Sequence, residues 1–256
     1  MLKLIMIIAL ICNTAFAKNA QITLTKDNSV VFNQPFTGLY VAKKIMEVFA
    51  KSTSSNKLYL VLDTPGGSVA DGLRFIDTIK SLKIPVHTIT LSAASMGYQV
   101  VQQLGIRYIT PSGTLMSHRG AISGLSGQVP GELDSRLDLI HQVLSGMNKA
   151  AAKRIGIPLK DYEASIVNEL WSFGENAVKT GQADQVADVT CDKALIEDEI
   201  TEEVSTPFGI INVVFSACPL LPAPIDIKFS RDVKKENFSH ARKFIEVRNK
   251  KVSLTF

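Results

Sequence analysis

Cysteine is scarce in this sequence. Cys12, Cys191 and Cys218 are the three in 256 residues. That is too few for a disulfide scaffold, and their spacing is not that of a common structural zinc site. An excess of one charge is missing too. With 28 basic and 24 acidic residues the chain carries +4, too little to argue for nucleic acid. Beyond the first 17 residues no run approaches the 18 apolar residues of a membrane-spanning helix, so the remainder is expected to be soluble. Internal repeats are absent. What is present is ordinary globular material: 46% hydrophobic and 20% charged residues, in a length that allows one sizeable core.

The two ends depart from this average. Residues 1–17 read MLKLIMIIALICNTAFA. Lys3 is a short basic start, residues 4–11 are apolar, and Ala15-Phe16-Ala17 fits the small-x-small rule for leader cleavage. This predicts a signal peptide cut after Ala17 and an exported chain, periplasmic or secreted. The apolar run is too short to anchor it in a bilayer, and Ile11 before Cys12 does not suit lipoprotein processing. Removing the leader leaves Cys191 and Cys218, which an oxidising compartment allows to join; the sequence leaves that pairing open. The tail, 225–256, holds nine basic and four acidic residues. It is expected to be a basic extension, either a solvated one, a packing arm, or a contact for an acidic surface or partner. Pro207, Pro219, Pro222 and Pro224 mark 191–224 as a linker before it.

Between the ends, β-rich runs alternate with helical spacing. Strands are expected at 22–32, 57–63, 85–91, 106–109, 114–117 and 186–189, and helices at 39–50, 69–82, 95–104, 131–155, 159–170 and 175–180. In the first helix Leu39, Ala42, Ile45, Met46 and Phe49 keep the helical spacing. The rhythm predicts an α/β fold of βαβ units around a mostly parallel sheet.

Catalysts in such folds sit at strand ends, and three ends carry candidate chemistry. At Asp63-Thr64-Pro65-Gly66-Gly67-Ser68 a glycine turn lets backbone amides approach a ligand without a Cβ in the way. Alone this is also a common plain turn. At Ser92-Ala93-Ala94-Ser95-Met96-Gly97 a serine flanked by small residues enters a helix, which suits a nucleophile and equally suits a helix cap. At Met116-Ser117-His118-Arg119-Gly120 a histidine precedes a glycine-rich loop. His87, His141 and His240 read as packing or surface residues.

In this order the three segments resemble the Clp-type serine protease family, over about residues 29–188. The matching motifs are Pro65-Gly66-Gly67, Ala94-Ser95-Met96-Gly97, Met116-Ser117-His118, the glycine-rich 120–128 and the long helix 131–155. The resemblance implies the ClpP/crotonase-like spiral of βαβ units with a handle-type helix, and a protease domain over 18–190. It implies Ser95 as nucleophile, His118 as general base, and the Gly67 and Met96 amides as an oxyanion hole. Gly66, Gly120, Gly124 and Gly127 would bind substrate. The family's third residue is an aspartate; the matching position here is Glu169, with Asp161 or Glu163 as alternatives should the alignment slip.

The expected activity is that of a serine endopeptidase acting on peptides or unfolded proteins, without ATP in an exported setting. The alternative is an idle relative that binds peptides or serves as a scaffold. The resemblance also implies a homo-oligomeric ring. Nothing in the sequence suggests a metal or organic cofactor or a nucleic-acid partner.

Overall fold

The computed structural model describes residues 18–207 and 209–229, together with 238, 239 and 243. The leader 1–17 and most of the basic tail lie outside the described residues.

The chain begins with β1 (Ala20–Leu24) and β2 (Ser29–Phe32), turned by the Asn28 side chain, which accepts from the Thr25 amide at 2.8 Å. Next come α1 (Gly38–Ser52), β3 (Leu58–Thr64), α2 (Val69–Lys80), β4 (Val86–Ala94), α3 (Met96–Gln103) and β5 (Arg107–Ser117). Then follow α4 (Glu132–Ile155), α5 (Leu159–Ser165), β6 (Leu170–Phe173), α6 (Gly174–Lys179) and β7 (Gln185–Cys191). The main sheet has the order β1-β7-β5-β4-β3-β2, all parallel, with β6 antiparallel on the outer half of β5. This is the mixed α/β architecture with a mostly parallel sheet that the sequence predicts. Among the described residues no helix is long and apolar enough to cross a membrane.

β3 shows why the sheet forms. Leu58, Leu60 and Leu62 point to the helical face, while Tyr59 and Val61 point to the other. A strand apolar on both faces must be covered on both. On the helical face Phe32, Phe36 and Phe75 pack ring against ring at 4.2–5.9 Å, fully buried. Each such burial is worth about 1.5–3 kcal/mol.

Three expectations change. In α1 the buried residues are Val41 and Val48, whereas Leu39 is 88% and Met46 72% exposed. The helix is apolar on two sides, and the side with valines seven apart is the one that meets the sheet. The runs at 106–109 and 114–117 are one strand, because 111–113 is absorbed as an irregularity where the β4–β5 register shifts. Residues 191–224, expected as a linker, carry a short helix α7 (Lys193–Glu197) and the hairpin β8 (Glu199–Thr206) and β9 (Gly209–Ser216). β9 then pairs with β10 (Asp226–Phe229), the first part of the basic tail, in a three-stranded antiparallel sheet. Pro207 lies at the hairpin turn and Pro219, Pro222 and Pro224 lie after β9. The prolines bound the strands, as they should where the ladder cannot use them.

Leu195 and Cys218 pack with Tyr59, Val61 and Ile89 on the second face of the main sheet. A disulfide between Cys191 and Cys218 ties this cover down, with Cα atoms 6.0 Å apart and 27 residues in the loop. Replacing both cysteines by serine is expected to cost about 3.5 kcal/mol of stability on chain-entropy grounds. Denaturant titration of the oxidised protein against the double variant checks it, and equal midpoints would refute it.

A polar clamp joins β5 to the segment before β7. Asp184 accepts from the Arg107 amide at 2.8 Å and from the Arg107 and Arg154 guanidinium groups at 2.5 and 2.8 Å. Burial pushes the Asp184 carboxyl up, but the Arg107 hydrogen bonds and the charges of Arg107 and Arg154 outweigh it and hold the pKa below the usual carboxylate value. A depressed folded-state pKa means stability present above the unfolded value, about 3.9, and lost as pH falls through the folded value. Asp184→Asn should therefore lower the thermal midpoint at pH 7, with the gap to wild type closing as pH falls below the unfolded carboxylate value. A gap independent of pH would refute the charge argument.

Candidate active site

The β4–α3 junction places Ser95. Its backbone sits at φ 54°, ψ −117°, a conformation rare for a residue with a Cβ and costing roughly 1–3 kcal/mol. The kink turns the chain abruptly from strand to helix and lifts the side chain out of the sheet, as at a nucleophile elbow. Ser95 therefore does not cap its helix: its side chain makes no cap hydrogen bond, although it occupies the cap position. Its amide donates instead to the Met116 carbonyl at 2.8 Å, which fixes the junction against the outer half of β5.

The glycine turn after β3 lies directly against this kink. A Cβ on Gly66 would lie 2.6 Å from the Ser95 Cβ and 2.9 Å from the Met96 nitrogen. Gly67 is bridged to Phe36: the Phe36 amide donates to the Gly66 carbonyl at 2.7 Å and the Ser68 amide to the Phe36 carbonyl at 2.9 Å. A parallel bridge uses the groups on either side of Gly67 and turns its own amide away from Phe36. The Met96 amide is the first of α3 and has no partner inside the helix. The Gly66 turn thus packs directly against the Ser95-Met96 junction.

The other two candidates lie just beyond the ends of the β5–β6 ladder. Ser117 pairs with Leu170 and Met116 with Trp171; His118 follows the last residue of β5 and Glu169 precedes the first of β6. Glu169 has φ 67°, and this left-handed residue ends the approach to β6. Its carboxylate accepts from the Trp171 indole at 2.9 Å. Among the described residues no hydrogen bond joins Ser95, His118 and Glu169 to one another. The alternatives are elsewhere: Asp161 is exposed on α5, and Glu163 accepts from Asn148 at 3.5 Å.

The glycine-rich segment between β5 and α4 is irregular, without strand. Gly120 packs against Leu144 and Gly127 against Glu132, both of α4, while Gly124 (φ 69°) stands in open space. The Arg136 guanidinium donates to the Ser126 carbonyl and pins the segment to α4. His87 is a packing residue whose Nδ1 accepts from the Ile106 amide at 3.0 Å.

Three buried polar residues to which the sequence gives no role, Gln99, Ser117 and Tyr162, lie next to the elements of the site. Tyr162 lies among Lys160, Asp161 and Glu163, and Gln99 shares its helix with Gln102 and Gln103, so neither stands out in the sequence.

The family model of the Clp protease matches residues 14–190. This range covers most of the chain and includes every candidate residue above. The chain belongs to the Clp protease family.

Proposed function

We propose that this chain is a serine endopeptidase that cleaves peptides or unfolded proteins with Ser95, His118 and Glu169. Family membership supplies the peptidase hydrolase; the serine mechanism and the residue roles are our reading. The observation that carries it is the backbone of Ser95. The fold holds a residue in a costly conformation where the kink serves no cap, and such strain is kept where function needs it.

In this mechanism His118 takes the Ser95 hydroxyl proton as Oγ attacks the scissile carbonyl. The amides of Gly67 and Met96 stabilise the oxyanion, and His118 returns the proton to the leaving amine. A water activated by His118 then releases the acyl group. Glu169 orients and stabilises the imidazolium, which requires its carboxylate to leave Trp171 for the histidine. An extended substrate would lie along the segment that contains Gly120, Gly124 and Gly127, close to Gly66.

The disulfide supports an exported site of action, since such bonds persist in oxidising compartments. That agrees with a leader cut after Ala17 and with turnover that needs no ATP. Clp proteases commonly form rings, and the exposed Leu39 and Met46 of α1 and Leu139 of α4 suit burial between copies of this chain. The test is a fluorophosphonate probe. The folded wild-type protein should be labelled and Ser95→Ala should not. Folded wild-type protein that stays unlabelled would replace the peptidase with an idle, peptide-binding relative.

A further inference from the structure

Tyr162 lies seven residues before Glu169 and is completely buried. Its hydroxyl stands 2.7 Å from the Ser117 Oγ, and the Gln99 side-chain amide donates to it at 3.3 Å. In the pair with Ser117 either oxygen can be the donor. Burial pushes the Tyr162 phenol up, while the hydrogen bonds from Ser117 and Gln99 pull against it; the net is upward. The phenol is thus neutral and keeps its proton across the working pH range.

Each end of this chain of hydrogen bonds abuts the proposed machinery. Ser117 is the last residue of β5 and immediately precedes His118. Gln99 is one helical turn after Ser95, and its backbone amide donates to the Ser95 carbonyl at 3.2 Å. Tyr162 itself belongs to α5, which leads into the Glu169 turn. One buried hydroxyl therefore joins the three backbone segments that carry Ser95, His118 and Glu169.

Burying three polar side chains costs free energy that apolar residues of similar size would not incur. Here the Gln99 Oε1 has no hydrogen-bond partner among the described residues, so the cost is only partly offset. Directional hydrogen bonds fix distance and angle in a way that apolar packing does not. A cluster that adds little stability yet sets geometry is in the right place to set the spacing of β5 against α3.

We propose that Tyr162 is a positioning residue of the peptidase, holding Ser117 and Gln99 so that His118 stays in register with Ser95. This rests on the serine peptidase reading above. It acts through backbone placement, and Tyr162 touches neither substrate nor the reacting atoms.

The test compares wild type, Tyr162→Phe, Ser117→Ala and the double variant, each as the full mature chain. Tyr162→Phe keeps the ring and removes only the hydroxyl. The expected result is a kcat lowered by about 10–100-fold, as for a misplacement of the order of 1 Å, with KM changed less than about twofold. Fluorophosphonate labelling should slow by the same factor. Ser117→Ala should show the same split, and the double variant should lose no more than the worse single, since both remove one link. Wild-type kcat and labelling rate in Tyr162→Phe would overturn the role. So would losses that merely follow the folded fraction measured by circular dichroism, or two losses that simply multiply. Should Tyr162→Phe fail to fold, Ser117→Ala carries the same comparison. Wild-type protein that is folded but unlabelled overturns the peptidase reading itself, and this role with it. That outcome is distinct from a labelled wild type with an unchanged Tyr162→Phe.

Discussion

Ser95→Ala should lower kcat/KM on an unfolded casein or a fluorogenic peptide by about 10⁴–10⁶-fold, with folding intact. The size follows from the division of labour. The proposed oxyanion hole and substrate binding would survive the substitution, and elsewhere such remnants retain about 10³–10⁴ over water; the proposed covalent route would not. His118→Ala should lose almost as much, and the double variant little more than either, because the proposed nucleophile and base would act as a unit. Stability should move within about 0.5 kcal/mol. The Ser95 hydroxyl has no hydrogen-bond partner among the described residues, and alanine carries the same Cβ into the same strained backbone. Ser95→Gly separates the two effects further. It should be equally inactive yet at least as stable as Ser95→Ala, since glycine relieves the positive φ. Ser95→Ala cleaving at the wild-type rate would remove Ser95 from the chemistry.

The two turns of the site were legible in the sequence because both depend on local composition. Gly66-Gly67 after an apolar strand and Ser95 among Ala93, Ala94 and Gly97 permit close backbone approach, although each alone also fits a plain turn or a helix cap, and it is their order along the chain that made them readable. The strand-helix rhythm from β3 to α3 was legible as well, since each element buries a face and its period shows it. The appendage was not. β8 reads Glu-Ile-Thr-Glu-Glu-Val-Ser-Thr and is exposed along nearly its whole length, so no alternation betrays it. It holds as a strand by pairing with β9, a tertiary fact. The geometry of Glu169 was also hidden. Its position could be inferred, but its left-handed backbone and its hydrogen bond to Trp171 arise from the turn into β6. Tyr162 was masked more simply, because a buried phenol and a buried phenylalanine leave the same helical spacing.

Gly66→Ala should cost about 10²–10³ in kcat, the magnitude that follows the loss of one oxyanion donor. Three contacts argue for so large an effect from one methyl group. The added Cβ would lie 2.6 Å from the Ser95 Cβ, 2.7 Å from the Ala94 carbonyl oxygen and 2.9 Å from the Met96 nitrogen. Two of these are backbone atoms and the third is a Cβ, so no rotamer change can relieve them. Gly66 also stands at φ 102°, where any side chain is strained. The turn after β3 must then back away from the turn after β4. The donors of the proposed hole sit one on each turn, Gly67 on the first and Met96 on the second, so separating the turns opens the hole even though neither donor is altered. Overpacking of this kind also destabilises, by about 1–3 kcal/mol, and kcat must therefore be measured on protein shown to be folded. Gly146→Ala is the control. Gly146 lies within α4, with open space where a Cβ would stand, and alanine there should stabilise by about 0.5–1 kcal/mol without touching kcat. A folded Gly66→Ala protein with wild-type kcat would place the oxyanion elsewhere. The Gly67 and Met96 amides would then be only the ends of two tightly packed turns.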